Sequence, residues 1–367
     1  MSKLIMISTR NPKLFDEGSD VRARMAEYGT VFDEIHIVTF SLHRSTPAGR
    51  SALSGNVFVY PTGSRSKLSY VRDAARIGRS IIRERGFAPA DSVITAQDPF
   101  ETGLAACKIS KETGLPLHIQ IHTDLYSPFF KKGLLARARL VLAKRALGNA
   151  RAVRAVSEKI RASLPDGVRA KTSVLPIYAD IEMFAGASPI DLRAKYPQFG
   201  KVVLMASRLS VEKNIPLALD AFSLIAPHHP DGGLVIIGEG PERPALERRA
   251  FAAGVAEKVI FEPWMERPML ARFMKSADAF LSTSLFEGYG LSMLEAHAAG
   301  APLVATDAGI ARELTSSVCE PTDVSCIADR LDATLSGSIE NKPYAYPYHS
   351  KGEHLESFRR DIERALR

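Results

Sequence analysis

Two carboxylates stand among small and apolar residues in the segment SLFEGYGLSMLEAHAAG, residues 284–300. The pattern predicts that a strand ends where this segment starts and that a helix begins after Gly290, with Gly288 and Gly290 allowing a tight loop between them. The first amides and positive end of a helix favour a phosphate. Glu287, in the loop, can accept hydrogen bonds from sugar hydroxyls, and Glu295, one turn into the helix, can accept them from a ribose. These residue types suit a ligand that carries both phosphate and sugar.

A simpler interpretation exists for the second acid. Ser292 and Glu295 have the spacing of a capping box, in which Glu295 satisfies only the first amides of its own helix. From this segment alone, the sequence favours capping.

Two loops further upstream carry residues that suit the same ligand. Arg208 and Lys213 follow the strand KVVLMA and precede a helix predicted to start near Ile215. An arginine fork and a lysine point charge can hold a diphosphate, although either residue alone reads equally well as a solvated surface charge. In LVIIGEGPE, Gly238 and Gly240 allow the backbone to approach a ligand, but a single G-x-G is more often just a turn.

Taken together, SRLSVEK, IIGEGPE and FEGYGLSMLEAHAAGAPLVATDAG resemble the nucleotide-sugar site of retaining GT-B glycosyltransferases of family four, the group 1 type that includes mannosyl- and glucosyltransferases. The resemblance implies that Arg208 and Lys213 hold the donor diphosphate. It implies that Glu287 binds the transferred sugar and Glu295 the nucleotide ribose. The donor-binding residues expected on this basis are Gly238, Glu239, Gly240, Gly288, Tyr289, Gly290, Leu291, Ser292 and Glu295.

The first half of the chain matches the family mainly in pattern. In LHIQIHTDLYSP a predicted strand ends at His122, which matches a family histidine that contacts the sugar undergoing transfer. A lone histidine after an apolar strand is otherwise usually structural. In the first loop, where many relatives carry a Gly-Gly pair, this chain offers only Gly18 as an acceptor-side candidate. The catalytic set implied by the resemblance is His122, Arg208, Lys213 and Glu287.

The elements that position these residues alternate along the chain. Short apolar strands such as KLIMIS, SVITA, LVIIG and PLVAT are separated by longer helical patterns, which predicts an α/β fold with two doubly wound parallel sheets. We predict an N-terminal domain over 1–185, joined by a C-terminal helix over 353–367, and a nucleotide-sugar-binding domain over 186–350. Ligands bind beyond the carboxyl ends of such strands, so the GT-B resemblance implies two Rossmann-like domains that face each other across a cleft.

Composition narrows the class of protein. The chain of 367 residues is 46% hydrophobic and 24% charged, as expected for a globular protein, and its net charge of +7 suits anionic partners. Its three cysteines have no zinc or redox-motif spacing, which predicts buried thiols in a reducing compartment. With no apolar run long enough for a signal peptide or a membrane span, we expect a cytoplasmic protein, with a peripheral position at the inner face of the cell membrane left open as an alternative. The cysteines are Cys107, Cys319 and Cys326.

The expected partners are a nucleotide-sugar donor, a glycan or glycolipid acceptor, and an anionic membrane surface. The basic segment 131–154 could lie on such a surface as a helix, or its apolar residues could pack on the sheet while its charges are solvated. The segment lacks interleaved aromatic residues, so nucleic acid is not expected. Trp264 could lie near the nucleotide base or pack in the core. The basic residues of the segment are Lys131, Lys132, Arg137, Arg139, Lys144, Arg145, Arg151 and Arg154.

Three functions fit these residues. The first is retaining transfer of a hexose from a nucleotide diphosphate sugar to an acceptor hydroxyl in polysaccharide, glycolipid or lipopolysaccharide synthesis. No Asp-x-Asp pair occurs, so we expect the protein's own cations to replace a divalent metal, with no metal site and no cofactor. The alternatives are a nucleotide-sugar epimerase of the same fold and a non-catalytic nucleotide-sugar-binding subunit.

Overall fold

The computed structural model describes residues 2–43, 49–131 and 134–367, which form two compact units. Unit 1 comprises Met1–Pro176 with Tyr348–Arg367, and unit 2 comprises Ile177–Pro347. The chain thus passes from unit 1 to unit 2 at Pro176, whereas the sequence placed the boundary after residue 185. Residues 177–185 therefore belong to unit 2, where they include a short helix over Ile181–Ala185.

Unit 1 is built on a sheet whose described residues form eight strands in the order β3-β4-β2-β1-β5-β6-β7-β8. Pairing is parallel except between β3 and β4, which form an antiparallel hairpin. The central strands β1, β5 and β6 are mostly apolar and are buried except for Lys3, as a sheet covered on both faces requires. The strands are β1 (Lys3–Ser8), β2 (Glu34–Thr39), β3 (Ser51–Ser54), β4 (Val57–Pro61), β5 (Ser92–Ala96), β6 (Leu117–Ile121), β7 (Ala152–Ala155) and β8 (Thr172–Val174).

Helices connect these strands, and the end of the chain returns to cover them. The connecting helices are α1 (Asp20–Tyr28), α2 (Tyr70–Arg85), α3 (Glu101–Thr113), α4 (Leu134–Asn149), α5 (Glu158–Ser163) and α6 (Asp166–Arg169).

Unit 2 is built on a sheet whose described residues form six strands. All of them pair in parallel, in the order β11-β10-β9-β12-β13-β14. The strands are β9 (Lys201–Ala206), β10 (Gly232–Ile237), β11 (Val259–Glu262), β12 (Ala279–Ser282), β13 (Leu303–Thr306) and β14 (Val318–Cys319). The helices are α7 (Ile181–Ala185), α8 (Leu192–Lys195), α9 (Ile215–Ile225), α10 (Arg243–Ala252), α11 (Arg267–Ser276), α12 (Leu291–Ala299), α13 (Ala311–Leu314) and α14 (Val324–Leu335).

The last helix, α15 (Lys351–Glu363), belongs to unit 1. Leu355, Phe358 and Ile362, at helical spacing, lie in the core of unit 1, and Leu366 packs against that core. Phe358 lies against Tyr28, with ring centroids 4.7 Å apart. The helix therefore completes one face of the first sheet.

The strand order of unit 2 has a switch point. The strand order reverses between β9 and β12, because the chain runs outward to β11 on one side of β9 and then outward to β14 on the other. Loops that leave the carboxyl ends of two such strands go to opposite faces of the sheet and open a crevice, which is where doubly wound sheets bind ligands. The loops after β9 and β12 are those that carry Arg208, Lys213 and Glu287.

The prediction of three buried thiols is wrong for two of the cysteines. Cys319 and Cys326 form a disulfide, with their Cα atoms 5.9 Å apart, and only Cys107 is a free buried thiol. The sequence gives no sign of the pairing because it depends on the turn from β14 into the first turn of α14. The cysteine content therefore no longer argues for a reducing compartment.

The basic segment 131–154 is not one helix. It comprises α4 and then β7, and Lys132 lies outside the described residues. Arg154, on β7, is only 3% exposed and bonds to the carbonyl oxygens of Leu175 and Pro176, so its predicted place on a membrane-facing surface is wrong. Arg151 donates to the carbonyl oxygen of Arg367. Among the described residues, we find no helix with the length and apolar character needed to cross a membrane.

Candidate nucleotide-sugar site

A recess opens at the switch point of unit 2, beyond the carboxyl ends of β9 and β12. Its polar lining comes from the loop after β9, from the end of β12 with the loop that follows it, and from the start of α12. The polar residues that line it are Ser207, Lys213, Ser282, Thr283, Ser284, Glu287 and Ser292. The structure thus brings together the two sequence-predicted residues of opposite charge, Lys213 and Glu287, with the start of α12.

Backbone and hydroxyl hydrogen bonds tie the loop of Lys213 to the loop of Glu287. Lys213 ends a short 3-10 turn after β9, and its carbonyl oxygen accepts a hydrogen bond from Thr283 Oγ1 at 3.0 Å. The amide of Leu285 donates to the carbonyl oxygen of Glu212 at 2.8 Å. The two loops therefore form one rigid wall, and the spacing of their side chains does not depend on side-chain contacts alone.

Lys213 and Glu287 form an ion pair inside the recess. Glu287 Oε1 accepts hydrogen bonds from Lys213 Nζ and, at 2.8 Å, from Ser284 Oγ. Their side chains are only 15% and 17% exposed, so each charge depends on its partner more than a surface charge does. A diphosphate bound by Lys213 would lie next to a carboxylate that is able to bind a sugar hydroxyl.

Arg208 lies apart from this pair. Its side chain is 75% exposed and its Nη2 contacts Glu212 Oε1 at 2.9 Å, four residues along the chain. Exposed pairs of this kind contribute little to stability, so the guanidinium can exchange Glu212 for a phosphate at low cost. The structure places Arg208 on the same loop as Lys213 but not in the wall of the recess.

Helix α12 begins at Leu291, as predicted, but no capping box starts it. Gly290 precedes the helix with a φ of 95°, a conformation that glycine adopts without strain. No side chain caps this end, so the amides of Leu291 and Ser292 face the recess side as the first free donors of the helix. The alternative role of Glu295 as a capping residue is therefore wrong.

Glu295 pairs with Arg267 instead, a partner that the sequence did not reveal. Arg267 Nη2 lies 2.9 Å from Glu295 Oε1, and the guanidinium also lies over the ring of Phe184, 5.3 Å from its centroid. Glu295 is 7% exposed, and burial raises its pKa to about 6 although the charge of Arg267 acts to lower it. Proline after Arg267 marks a helix start in the sequence, but nothing there connects it to an acid on another helix.

The remaining predicted donor residues play mainly backbone roles. A Cβ on Gly238, whose φ is 143°, would lie 1.9 Å from the carbonyl oxygen of Ser207, so this glycine lets the loop after β10 pack against the loop after β9. Exposed Glu239 accepts from the amide of Leu209 through its carbonyl oxygen. Tyr289 is buried, with its hydroxyl 3.0 Å from that of Tyr344, so its side chain faces the interior rather than a ligand. Gly240 follows Glu239, and Gly288 lies half-buried between β12 and α12.

Trp264 is 64% exposed, so the alternative that it packs in the core is wrong. It follows β11, in the segment that leads to Arg267. Trp264 is not among the residues that line the recess, so its predicted contact with a nucleotide base stays a prediction.

The two candidates in the first half belong to unit 1. His122 follows β6 and is exposed, with its Nε2 3.2 Å from Gln120 Oε1. Desolvation of the ring by the surrounding protein lowers the pKa of His122, and the positive charges of Arg154 and Arg24 lower it further. The imidazole is therefore neutral at pH 7. Gly18 is exposed in the turn before α1, with a φ of 81°.

A divalent metal would need a cluster of oxygen, nitrogen or sulfur ligands. Within residues 2–43, 49–131 and 134–367, no group of three or more histidine, cysteine, aspartate or glutamate side chains is arranged to hold an ion.

The raised pKa of Glu295 predicts a pH-dependent stability. An acid whose pKa is raised from 4.5 to about 6 on folding leaves the free energy of unfolding unchanged below pH 4.5, where it is protonated in both states. Above pH 6 it lowers the free energy of unfolding by a constant amount, because the folded state disfavours the charged form. Relative to Glu295→Gln, the wild-type free energy of unfolding should therefore fall by about 2 kcal/mol as the pH rises from 4.5 to 6.5, and then stay level. Urea unfolding of both proteins at several pH values measures this difference. A difference that is constant, or that grows with pH, contradicts it.

Comparison with known proteins supports the resemblance seen in the sequence. Residues 193–346 match the family model described as "Glycosyl transferases group 1". The chain is 32% identical over 225 residues to alpha-monoglucosyldiacylglycerol synthase of Streptococcus pneumoniae strain R6, which covers 58% of this chain and 51% of that protein. It is 35% identical over 148 residues to D-inositol 3-phosphate glycosyltransferase of Jonesia denitrificans, covering 38% of this chain and 34% of that one. The chain thus aligns with about half or less of the length of these relatives.

A solved structure shows that the likeness in fold extends over both units. Sucrose-phosphate synthase from Thermosynechococcus elongatus superposes with a TM-score of 0.74 and 18% sequence identity, over 100% of this chain and 94% of that one. Two Rossmann-like units with parallel sheets are the architecture of GT-B glycosyltransferases, and the predicted fold class is confirmed. The chain therefore has the GT-B fold, and residues 193–346 of its second unit match the glycosyl transferases group 1 model.

Proposed function

We propose that the protein is a retaining glycosyltransferase that moves a hexose from a nucleotide diphosphate sugar to an acceptor hydroxyl. The observation that carries the proposal is the convergence of Lys213, Glu287 and the start of α12 at the switch point of unit 2. A cation and free helix amides suit a diphosphate, and the adjoining carboxylate suits the hydroxyls of a sugar.

The chemistry follows from the charges. When the bond between the sugar and the diphosphate breaks, negative charge develops on the leaving phosphate and positive charge on the anomeric carbon. Lys213 and the amides of Leu291 and Ser292 stabilise the negative charge on the phosphate. Arg208 also binds the phosphate, after giving up its contact with Glu212. Glu287, released from Lys213, holds the sugar by a hydroxyl. These fixed cations and dipoles are what support transfer without a divalent metal.

Retention follows, in this proposal, from attack on the same face that the leaving group departs from. In this proposal Glu287 keeps the hydrogen bond from Ser284 Oγ and holds a sugar hydroxyl, so the carboxylate positions the sugar and does not act as the nucleophile. The acceptor hydroxyl therefore attacks the anomeric carbon, and its proton passes to the departing diphosphate. His122 contacts the transferred sugar as a neutral imidazole, and Gly18 lies on the acceptor side.

Two other functions use the same donor residues. A nucleotide-sugar epimerase must also bind the diphosphate of the nucleotide sugar. A non-catalytic subunit must bind the nucleotide sugar without converting it. The match to the glycosyl transferases group 1 model and the names of the relatives support transfer over both. Product analysis separates the three, since only transfer gives a glycosylated acceptor and a free nucleoside diphosphate.

Substitution of Glu287 tests the proposed transfer. Glu287→Gln removes the charge that pairs with Lys213 and weakens the bond to a sugar hydroxyl, so transfer or donor hydrolysis should fall by about 10- to 100-fold. Binding of the bare nucleoside diphosphate should be kept or strengthened, because Lys213 loses its competitor. Release of nucleoside diphosphate from donor, with chelator present, measures the rate.

Glu257→Gln is the matched control, because Glu257 is an exposed acid of the same unit outside the recess. It should leave the rate unchanged. Full activity in Glu287→Gln would refute the sugar-binding role, and loss of all activity on chelation would refute metal independence.

A membrane-bound acceptor fits the first turns of α4. Leu134, Leu135 and Val141 are 84%, 68% and 68% exposed, and exposed Lys131 and Arg137 lie beside them. Apolar side chains that project next to basic ones suit an anionic lipid surface. The Streptococcus pneumoniae relative is named alpha-monoglucosyldiacylglycerol synthase, which supports the same type of acceptor. We therefore propose a peripheral position at the inner face of the cell membrane, where nucleotide sugars are available.

Flotation with liposomes tests this surface. Leu134→Ser with Leu135→Ser should lower binding to vesicles that contain anionic phosphatidylglycerol by about tenfold, because two leucine side chains no longer enter the lipid. Phe251→Ser is the matched control, since Phe251 is 79% exposed on unit 2. Binding should also weaken with salt. Equal binding of the double variant and the control, or none by the wild type, contradicts the membrane proposal.

A further inference from the structure

A buried polar network lies directly beneath His122. Side chains alternate along a strand, so His118, Gln120 and His122 project from the same side of β6 and its carboxyl end. His118 is fully buried and Gln120 is 4% exposed, although both lie in the middle of an apolar sheet. Buried polar groups of this kind are costly unless they are hydrogen-bonded, and these are.

The network starts at the last helix of the chain. Asp361 of α15 lies 3.1 Å from His118 Nε2, and His118 Nδ1 lies 2.9 Å from Thr95 Oγ1. Gln120 Nε2 donates to the same hydroxyl at 3.2 Å, and Gln120 Oε1 lies 3.2 Å from His122 Nε2. A continuous line of hydrogen bonds thus joins α15 to the imidazole of His122.

Arg154 fixes the direction of these bonds. Its Nη1 lies 3.3 Å from Gln120 Oε1, and its other nitrogens donate to the carbonyl oxygens of Leu175 and Pro176 at 3.0 and 3.1 Å. A guanidinium only donates, so the atom of Gln120 that faces it must be the amide oxygen. The other end of the same amide then donates to Thr95. Reversal of the side-chain amide would place its NH2 group against the guanidinium and break the contact with Arg154.

This orientation determines which nitrogen of His122 carries the proton. The oxygen of Gln120 accepts only, so His122 Nε2 must donate to it and must be protonated. Because the imidazole is neutral at pH 7, Nδ1 is left with the lone pair. A histidine held in this way accepts a hydrogen bond at Nδ1 and does not donate one there.

We propose that Gln120 and Arg154 are positioning residues that hold His122 in the Nε2-protonated tautomer, so that its Nδ1 accepts a hydrogen bond from a hydroxyl of the transferred sugar. The role of the sugar rests on the proposed function. The tautomer rests only on the contacts within unit 1. A structural role alone would explain why the network is satisfied, but it would not require Gln120 to present its oxygen to an exposed histidine.

Nitrogen NMR of histidine-labelled protein tests the tautomer without any substrate. At pH 7.5 the long-range proton–nitrogen pattern of His122, assigned with His122→Gln, should be that of a protonated Nε2. Gln120→Met keeps the length of the side chain and removes the acceptor, so the pattern should become a mixture of both tautomers. Gln120→Glu keeps an acceptor and should keep the wild-type tautomer. His36, which bonds Tyr60 through Nδ1 elsewhere in the sheet, should be unchanged in both variants and reports that they are folded.

Kinetics complete the test. The turnover number of Gln120→Met should fall about tenfold, as expected for the loss of one well-oriented hydrogen bond, with a smaller change in KM for the donor and partial rescue in Gln120→Glu. A protonated Nδ1 in the wild type, or an unchanged pattern in Gln120→Met, overturns the positioning role. A changed tautomer with an unchanged turnover number overturns the sugar contact. If the protein transfers no sugar, the proposed function fails, and the NMR result still decides the tautomer.

Discussion

The ion pair between Lys213 and Glu287 is the contact around which the donor site is arranged. It joins two loops that leave β9 and β12 at the switch point, and it lies at the start of α12. With both side chains largely buried, neither charge is stable alone, so the recess holds either this pair or a ligand that supplies charges of its own. In the proposed function a nucleotide diphosphate sugar would supply them, with its phosphates replacing Glu287 at Lys213 and its hydroxyls replacing Lys213 at Glu287.

Both units support their candidate residues by the same means. In unit 2, Thr283 and Leu285 hold the loops of the recess through backbone carbonyl oxygens, and Arg267 holds Glu295. In unit 1, a network of buried donors and acceptors ends at His122. In each case the groups that determine geometry lie one layer behind the residues that would touch the substrate, which is how a site is kept close to one productive arrangement.

The sequence predicts the repetitive and local parts of this structure well. Runs of apolar residues and the glycines between them locate most of the strands. The same patterns place the starts of α9 and α12 at Ile215 and Leu291. Parts that depend on contacts distant in sequence are not predictable from such patterns. The pairing of Glu295 with Arg267, the disulfide of Cys319 and the burial of Arg154 are of this kind. The β3–β4 hairpin is different, because Gly-Asn between two short runs is a turn signal that pattern reading could have used.

The central claim is that the recess at Lys213 binds the diphosphate of a nucleotide sugar. Calorimetric titration with UDP, GDP and ADP, with chelator present, tests it most directly on the wild type, Lys213→Met and the control Lys258→Met. The account predicts that one of the three binds, that Lys213→Met weakens this binding by about tenfold or more, and that Lys258→Met does not. Binding that is equal in all three proteins, or no binding of any diphosphate, would contradict it.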